Sequence, residues 1–253
     1  MSSTARLCTT LICSAILFLC QSKAIAFPTQ AEIQPNDQNG SIYGYARKKE
    51  KSELQYTEVF HDDPLSNTLR VSYWSPERKA IAYKQLVFGS NPQIPDLFEF
   101  IDYRRARGFR ITVNGNIANV KNIKVAANGT ETLKSEKTVE IDSNTVIDAS
   151  FHRFILADWD QLMTGKSAKV KFMRIDKATL IPLQIKRSNC ENEDNVCFKV
   201  SIDNMVLQAM LPSFYMNYDK NKRLIRYSGI GPITKLNNKP QSVNITYDYV
   251  QGN

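Results

Sequence analysis

From Ile42 to Tyr249 the chain consists largely of short runs in which apolar residues recur at every second position, and this constrains the fold more than any other feature. Successive side chains of a strand point to opposite faces, so such runs make half-buried strands, and the turn residues between them fold neighbours back antiparallel. Leu69, Val71 and Tyr73 alternate with Arg70 and Ser72, residues 75–78 (SPER) turn, and residues 80–88 return. Comparable runs lie at 42–48, 54–59, 97–101, 109–113, 170–172, 183–185, 198–200, 214–218 and 223–227. Val243, Ile245, Tyr247 and Tyr249 close the series, and Asn114-Gly115 is a favoured tight-turn dipeptide.

One segment departs from period two. Ile147, Phe151, Phe154, Ile155, Trp159, Leu162 and Met163 are spaced by threes and fours, which places most of them on one face of a helix. Asp142, Ser143 or Asn144 can cap its start, and Gly165 suits its end. A helix with a wide apolar stripe needs a complementary apolar surface, which alternating strands supply. The expected fold is mainly β (α+β): one curved antiparallel sheet, or half-barrel, of about ten strands with one major helix on its concave face, forming a single β-rich domain over residues 41–253. Such an architecture can leave a cavity between helix and sheet.

The N-terminus has the order of a cleavable secretion signal. Arg6 precedes an apolar run over residues 7–20, residues 21–23 (QSK) are polar, and Ala24 and Ala26 supply small side chains at −3 and −1. Residues 1–26 are therefore expected to be a signal peptide, cut between Ala26 and Phe27. The run is too short to cross a bilayer, which takes about 20 residues, so no stable membrane span is expected. Residues 27–40 (FPTQAEIQPNDQNG) are polar and aperiodic, and are expected to form a flexible leader. Removing residues 1–26 leaves 31 Lys and Arg against 25 Asp and Glu, net +6. That balance fits a solvated surface or attraction to an anionic envelope surface. Nucleic acid is not expected as a partner, because the positive residues form no arm or RNA-binding signature.

Of five cysteines, three leave with the signal, and Cys190 and Cys197 remain as an even pair in an oxidising compartment. The alternating segments 183–185 and 198–200 flank them with a polar stretch between, so a disulfide across a hairpin tip is expected. Catalytic and metal signatures are not found. His61 stands before Asp62-Asp63-Pro64 with no second histidine at ligand spacing, which reads as a polar turn. His152 follows Asp148 by one helical turn and is expected to pair with it locally. Asp158 and Asp160, two apart, point to different helix faces, and Gly229-Ile230-Gly231-Pro232 reads as a turn rather than a phosphate loop. Sequons at Asn39, Asn128 and Asn244 matter only in a eukaryotic host. No cofactor is expected.

Residues 146–154 (VIDASFHRF), 158–162 (DWDQL) and 223–229 (RLIRYSG) resemble stretches of uncharacterised periplasmic proteins of proteobacteria. That resemblance implies a periplasmic home and brings no activity or catalytic residue. A curved sheet with a helix on its face is also similar to the half-barrels of lipoprotein and envelope-lipid carriers, a likeness of fold that does not fix function. Three readings follow. The first is a non-enzymatic protein binding a lipid or other apolar envelope ligand in a sheet–helix cavity lined by Phe151, Phe154, Ile155 and Leu162, with Tyr73 and Tyr83 opposite. The second is an interaction protein of envelope assembly with a filled core, its partner an envelope protein. The third is an enzyme.

Overall fold

The computed structural model describes residues 26–33, 42–203 and 212–250. The expected signal peptide lies outside the described residues apart from Ala26. The described residues form fifteen strands in one sheet, built as two meanders. The first comprises β1 (Ile42–Lys48), β2 (Leu54–Asp63), β3 (Thr68–Trp74), β4 (Ala80–Val87), β5 (Leu97–Asp102), β6 (Arg107–Asn114), β7 (Ile117–Val125) and β8 (Glu131–Glu140). The second comprises β9 (Thr145–Val146), β10 (Ala168–Arg174), β11 (Thr179–Ser188), β12 (Val196–Ile202), β13 (Phe214–Tyr218), β14 (Leu224–Ile230) and β15 (Ser242–Tyr249). β15 pairs with β1 and joins the meanders, so β8 and β9 are the two edges. Every pairing is antiparallel except β9 with β10.

The two edges are joined only by residues 141–144. Such a link spans at most about 18 Å when fully extended. A fifteen-stranded sheet about 4.8 Å per strand wide must curl to bring its ends that close. Side chains from both meanders accordingly meet: Ile147 and Met173 pack with Leu86, Phe98, Ile111 and Val120.

The expected count of about ten strands is too low. The strands missing from the sequence reading are β7, β8 and β9. β8 (ETLKSEKTVE) is exposed along nearly its whole length, so it has no apolar face to produce alternation, and β9 is two residues long. The 147–163 helix is two short ones, α1 (Ser150–Ala157) and α2 (Trp159–Met163), parted at Asp158. Asp142 and Asn144 form a turn ahead of them rather than a cap, and Ser150 Oγ instead accepts the Ile147 amide at 2.9 Å. Gly165 does end the segment, at φ 85°. Cys190 and Cys197 are joined beside the β11–β12 pairing, as expected.

The leader expected to be flexible is packed over residues 27–33. Phe27 is buried against Ile101, Ile123 and Val125, and Ile33 against Val59, Trp74 and Ala80. Gln30 Nε2 donates to the Ala80 carbonyl at 2.6 Å, and the Tyr103 hydroxyl donates to the Pro28 carbonyl at 2.9 Å. Residues 34–40 lie outside the described residues.

Candidate functional site: two recesses and a buried charged cluster

The six residues expected to line one cavity are not brought together. Phe151, Phe154, Ile155 and Leu162 are buried in a core with Trp159, Val170, Ile185, Phe198, Val200 and Tyr218. Edge-to-face contacts fill it: Trp159 lies 5.4 Å from Phe198 and 5.3 Å from Tyr218, centroid to centroid, and Phe151 lies 5.4 Å from Phe214. Tyr73 belongs to another cluster, with Tyr56, Val71 and Ile245. Tyr83 stands on the reverse of the sheet, because its register partner is Ser72, not Tyr73, and one residue of offset turns a side chain to the other face. Its hydroxyl donates to Gln85 Oε1 at 2.9 Å.

The Tyr73 face instead carries a buried charged cluster. Glu58 and Lys84 are 2% and 3% exposed. Lys84 Nζ donates to Asp148 Oδ1 in an ion pair and lies 5.3 Å from the Tyr73 ring centroid. Asp148 holds a left-handed backbone, φ 49°, and accepts the Ala149 amide at 2.6 Å, which aims its carboxylate back at β4. The Tyr247 hydroxyl donates to Glu58 Oε2 at 3.3 Å. Gly44, between Tyr247 and Glu58 in register, permits this approach: a Cβ there would stand 2.8 Å from Tyr247 Cε1.

Burial pushes the Glu58 carboxyl up to about 7, with Lys84 pulling it back and Asp148 adding to the rise. Burial, then the nearby Glu58 charge, holds the Tyr73 and Tyr247 phenols well above their ordinary value. Glu58 is thus an acid that changes charge near neutral pH, yet neither recess described below is lined by it. Asp148 therefore pairs with Lys84, not with His152 as expected. His152 stacks on Tyr218, its Nδ1 3.1 Å from the hydroxyl, and burial followed by Arg153 lowers it to about 4. The signal for this cluster was present in the sequence: Glu58 sits two residues from Tyr56 and from Phe60, and Lys84 two from Ala82 and from Leu86. A charge at the apolar parity of a strand is a charge on the packed face.

Two of the recesses at the surface of the described residues bear on function. One, of about 380 Å³, lies between the loop after β14 and the 3₁₀ turn Tyr103–Arg105. Tyr56 lines it, and Gly231 leaves room for the phenol, since a Cβ there would stand 2.6 Å from its oxygen. Gly229 and Ile230, expected in a turn, are the last residues of β14. Arg104, in the same recess, donates to both Asp102 carboxylate oxygens at 3.0 and 2.7 Å and to the Thr234 carbonyl at 3.0 Å. It is therefore engaged by the protein itself.

The second recess, of about 240 Å³, is basic: Arg105, Arg107, Lys124 and Lys134 line it with Asn122 and Ile123. Arg105 is paired, to Asp102 at 2.8 Å. Arg107, Lys124 and Lys134 make no ion pair among the described residues. Arg107 lies over the Phe109 ring, 4.5 Å from its centroid, and donates to Asn122 Oδ1 at 3.3 Å. Burial, then the Arg105 charge, lowers its guanidinium. No sequence pattern announced this recess, because its cations come from β6, β7, β8 and the 3₁₀ turn.

No family model matches the chain, and no curated protein matches it. Among solved structures it is similar to a beta-barrel-like protein of domain of unknown function DUF1849 from Brucella abortus. The two are 10% identical with a TM-score of 0.36, over 83% of this chain and 96% of that one.

Proposed function

We propose that this chain is an exported, non-enzymatic periplasmic protein that binds an anionic envelope component at the basic recess, on a half-barrel scaffold with a filled core. The observation that carries the reading is the gathering of Arg107, Lys124 and Lys134 around one recess with no carboxylate paired to any of them among the described residues. Like charges held together repel, and an incoming phosphate or carboxylate relieves that repulsion while gaining charge-assisted hydrogen bonds. Export is supported by the charge–apolar–small-residue order of residues 1–26 and by the Cys190–Cys197 bond. A surface site, rather than a carrier cavity, is favoured by the dense packing of Phe151, Phe154, Ile155 and Leu162 among aromatic neighbours.

The test is co-sedimentation of the exported chain with phosphatidylcholine vesicles, with and without added phosphatidylglycerol. The expected result is binding to the anionic vesicles only. It should be lost near 1 M salt, where the screening length is about 3 Å, and weakened several-fold by Lys134→Glu. Competition by inorganic phosphate separates recognition of the headgroup from recognition of a charged surface. Equal binding to neutral vesicles, or uptake of a fluorescent fatty acid into the interior, would instead favour the apolar carrier.

A further inference from the structure

The reverse face of the first meander holds a second buried charged cluster, one cation short of balance among the described residues. Arg110 Nε donates to Glu99 Oε1 at 2.6 Å, and its Nη1 and Nη2 donate to Glu131 Oε2 and Oε1 at 2.9 and 3.1 Å. Two carboxylates share one guanidinium, net −1. The backbone nitrogen of Phe27 completes the arrangement, donating to Glu131 Oε1 at 3.0 Å. The Phe27 ring lies beneath Arg110, 4.7 Å from centroid to Cζ, and is 2% exposed. Gly108 makes the seat: a Cβ there would stand 3.0 Å from two ring carbons. Ala26, one residue earlier, is exposed. Among the described residues, burial thus begins at the residue that the small-residue pair Ala24 and Ala26 marks for release.

We propose that the Ala26–Phe27 peptide bond is hydrolysed during export and that the freed α-ammonium of Phe27 docks on Glu131 as the missing cation of the Glu99–Arg110–Glu131 cluster. Water adds its hydroxyl to the Ala26 carbonyl carbon and a proton to the Phe27 nitrogen. The amine then takes a second proton from solvent, because an α-amino group is protonated below about pH 8. In the uncut chain that nitrogen is a neutral amide and the cluster keeps its excess negative charge. In the cut chain the cluster is neutral, and the hydrogen bond to Glu131 is charge-assisted on both sides. Ala26 is exposed, so the bond to be cut lies at the outer end of the docked segment. Residues 27–33 then become a strap tied at its first atom.

This inference rests on the export reading, and the experiment separates their failures. Intact mass and N-terminal sequencing of the exported protein should give Phe27. Recovery of Met1 would overturn export itself, whereas a different mature start would overturn only the docking. Two otherwise identical chains, beginning at Phe27 and at Ala26, are then compared by thermal melting at pH 6. They differ by one exposed alanine, yet only the first places its ammonium on Glu131. The Phe27 chain should melt about 2–4 °C higher. The groups facing the ammonium are Glu131, Arg110 and Glu99, with the Tyr83 and Tyr103 rings beside Phe27. Of these the ammonium is the group that loses charge at mildly alkaline pH, so the gap should close as pH rises well above 8. It should also vanish in Glu131→Gln. Equal melting at pH 6, or a gap that survives Glu131→Gln, would overturn the proposal.

Discussion

The two buried charged clusters lie on opposite faces of the first meander, each with two carboxylates and one side-chain cation, and they solve the same problem differently. Arg110 reaches both of its carboxylates through a planar fork with several donors. Lys84 is a compact point charge, and among the described residues its ion pair is with Asp148. Glu58 is left with the Tyr247 hydroxyl at 3.3 Å and a raised carboxyl that titrates near 7. Glu99 is also raised by burial, but Arg110 opposes the rise through both a hydrogen bond and its charge. The number of donors on the cation decides whether a second buried carboxylate keeps a full-strength partner. The Arg110 fork is a clamp on its carboxylates, whereas Glu58 responds to pH near neutrality.

The strongest way to break this comparison is to remove the fork. Arg110→Met strands two carboxylates at once and should cost about 3–5 kcal/mol in denaturant unfolding at pH 7. A loss under 1 kcal/mol would mean that water already solvates Glu99 and Glu131.

The next test concerns Glu58. Its folded value, about 7, stands above the ordinary 4.5, so the native chain keeps a proton that the unfolded chain has released. Its contribution to stability is therefore fully present below about pH 4.5 and is lost as pH rises to and through about 7. Glu58→Gln carries no such proton and should gain on the parent chain across that window, by about 3 kcal/mol in all. Unfolding free energies of the two chains measured from acid to mildly alkaline pH check the slope. A constant difference between them would show that Glu58 does not titrate in the fold.

The smallest effect sharpens the same point. Tyr247→Phe removes the hydroxyl that favours the Glu58 carboxylate, so the Glu58 transition should move still higher, with about 0.5–1.5 kcal/mol lost at alkaline pH. A downward movement, followed by carboxylate NMR, would place the stabilising contact elsewhere.

These effects lie on a scaffold that was only partly legible beforehand. Strands such as β3, β4 and β15 announced themselves because one face is packed and the other wet, which writes period two into the residues. The disulfide was legible from Cys190 and Cys197 flanking a polar stretch between two alternating segments. β8 was not, since water on nearly its whole length removes any alternation, and its existence depends on hydrogen bonds to β7. Docking of Phe27 was equally hidden: an aromatic in a polar stretch gives no hint of a seat made by Gly108 and Arg110.

The sequence by itself determined what depends on near neighbours: alternation, the apolar stripe of residues 147–163, and the small-residue pair before Phe27. The tertiary structure decided which charges are buried and with whom. Lys84 meets Asp148 across 64 residues, Phe27 meets Glu131 across 104, and Tyr247 meets Glu58 across 189. Such pairs arise only where register and the curl of the sheet bring distant strands face to face. The cost of burying a charge is set by what stands opposite it in space, a quantity that local order along the chain does not contain.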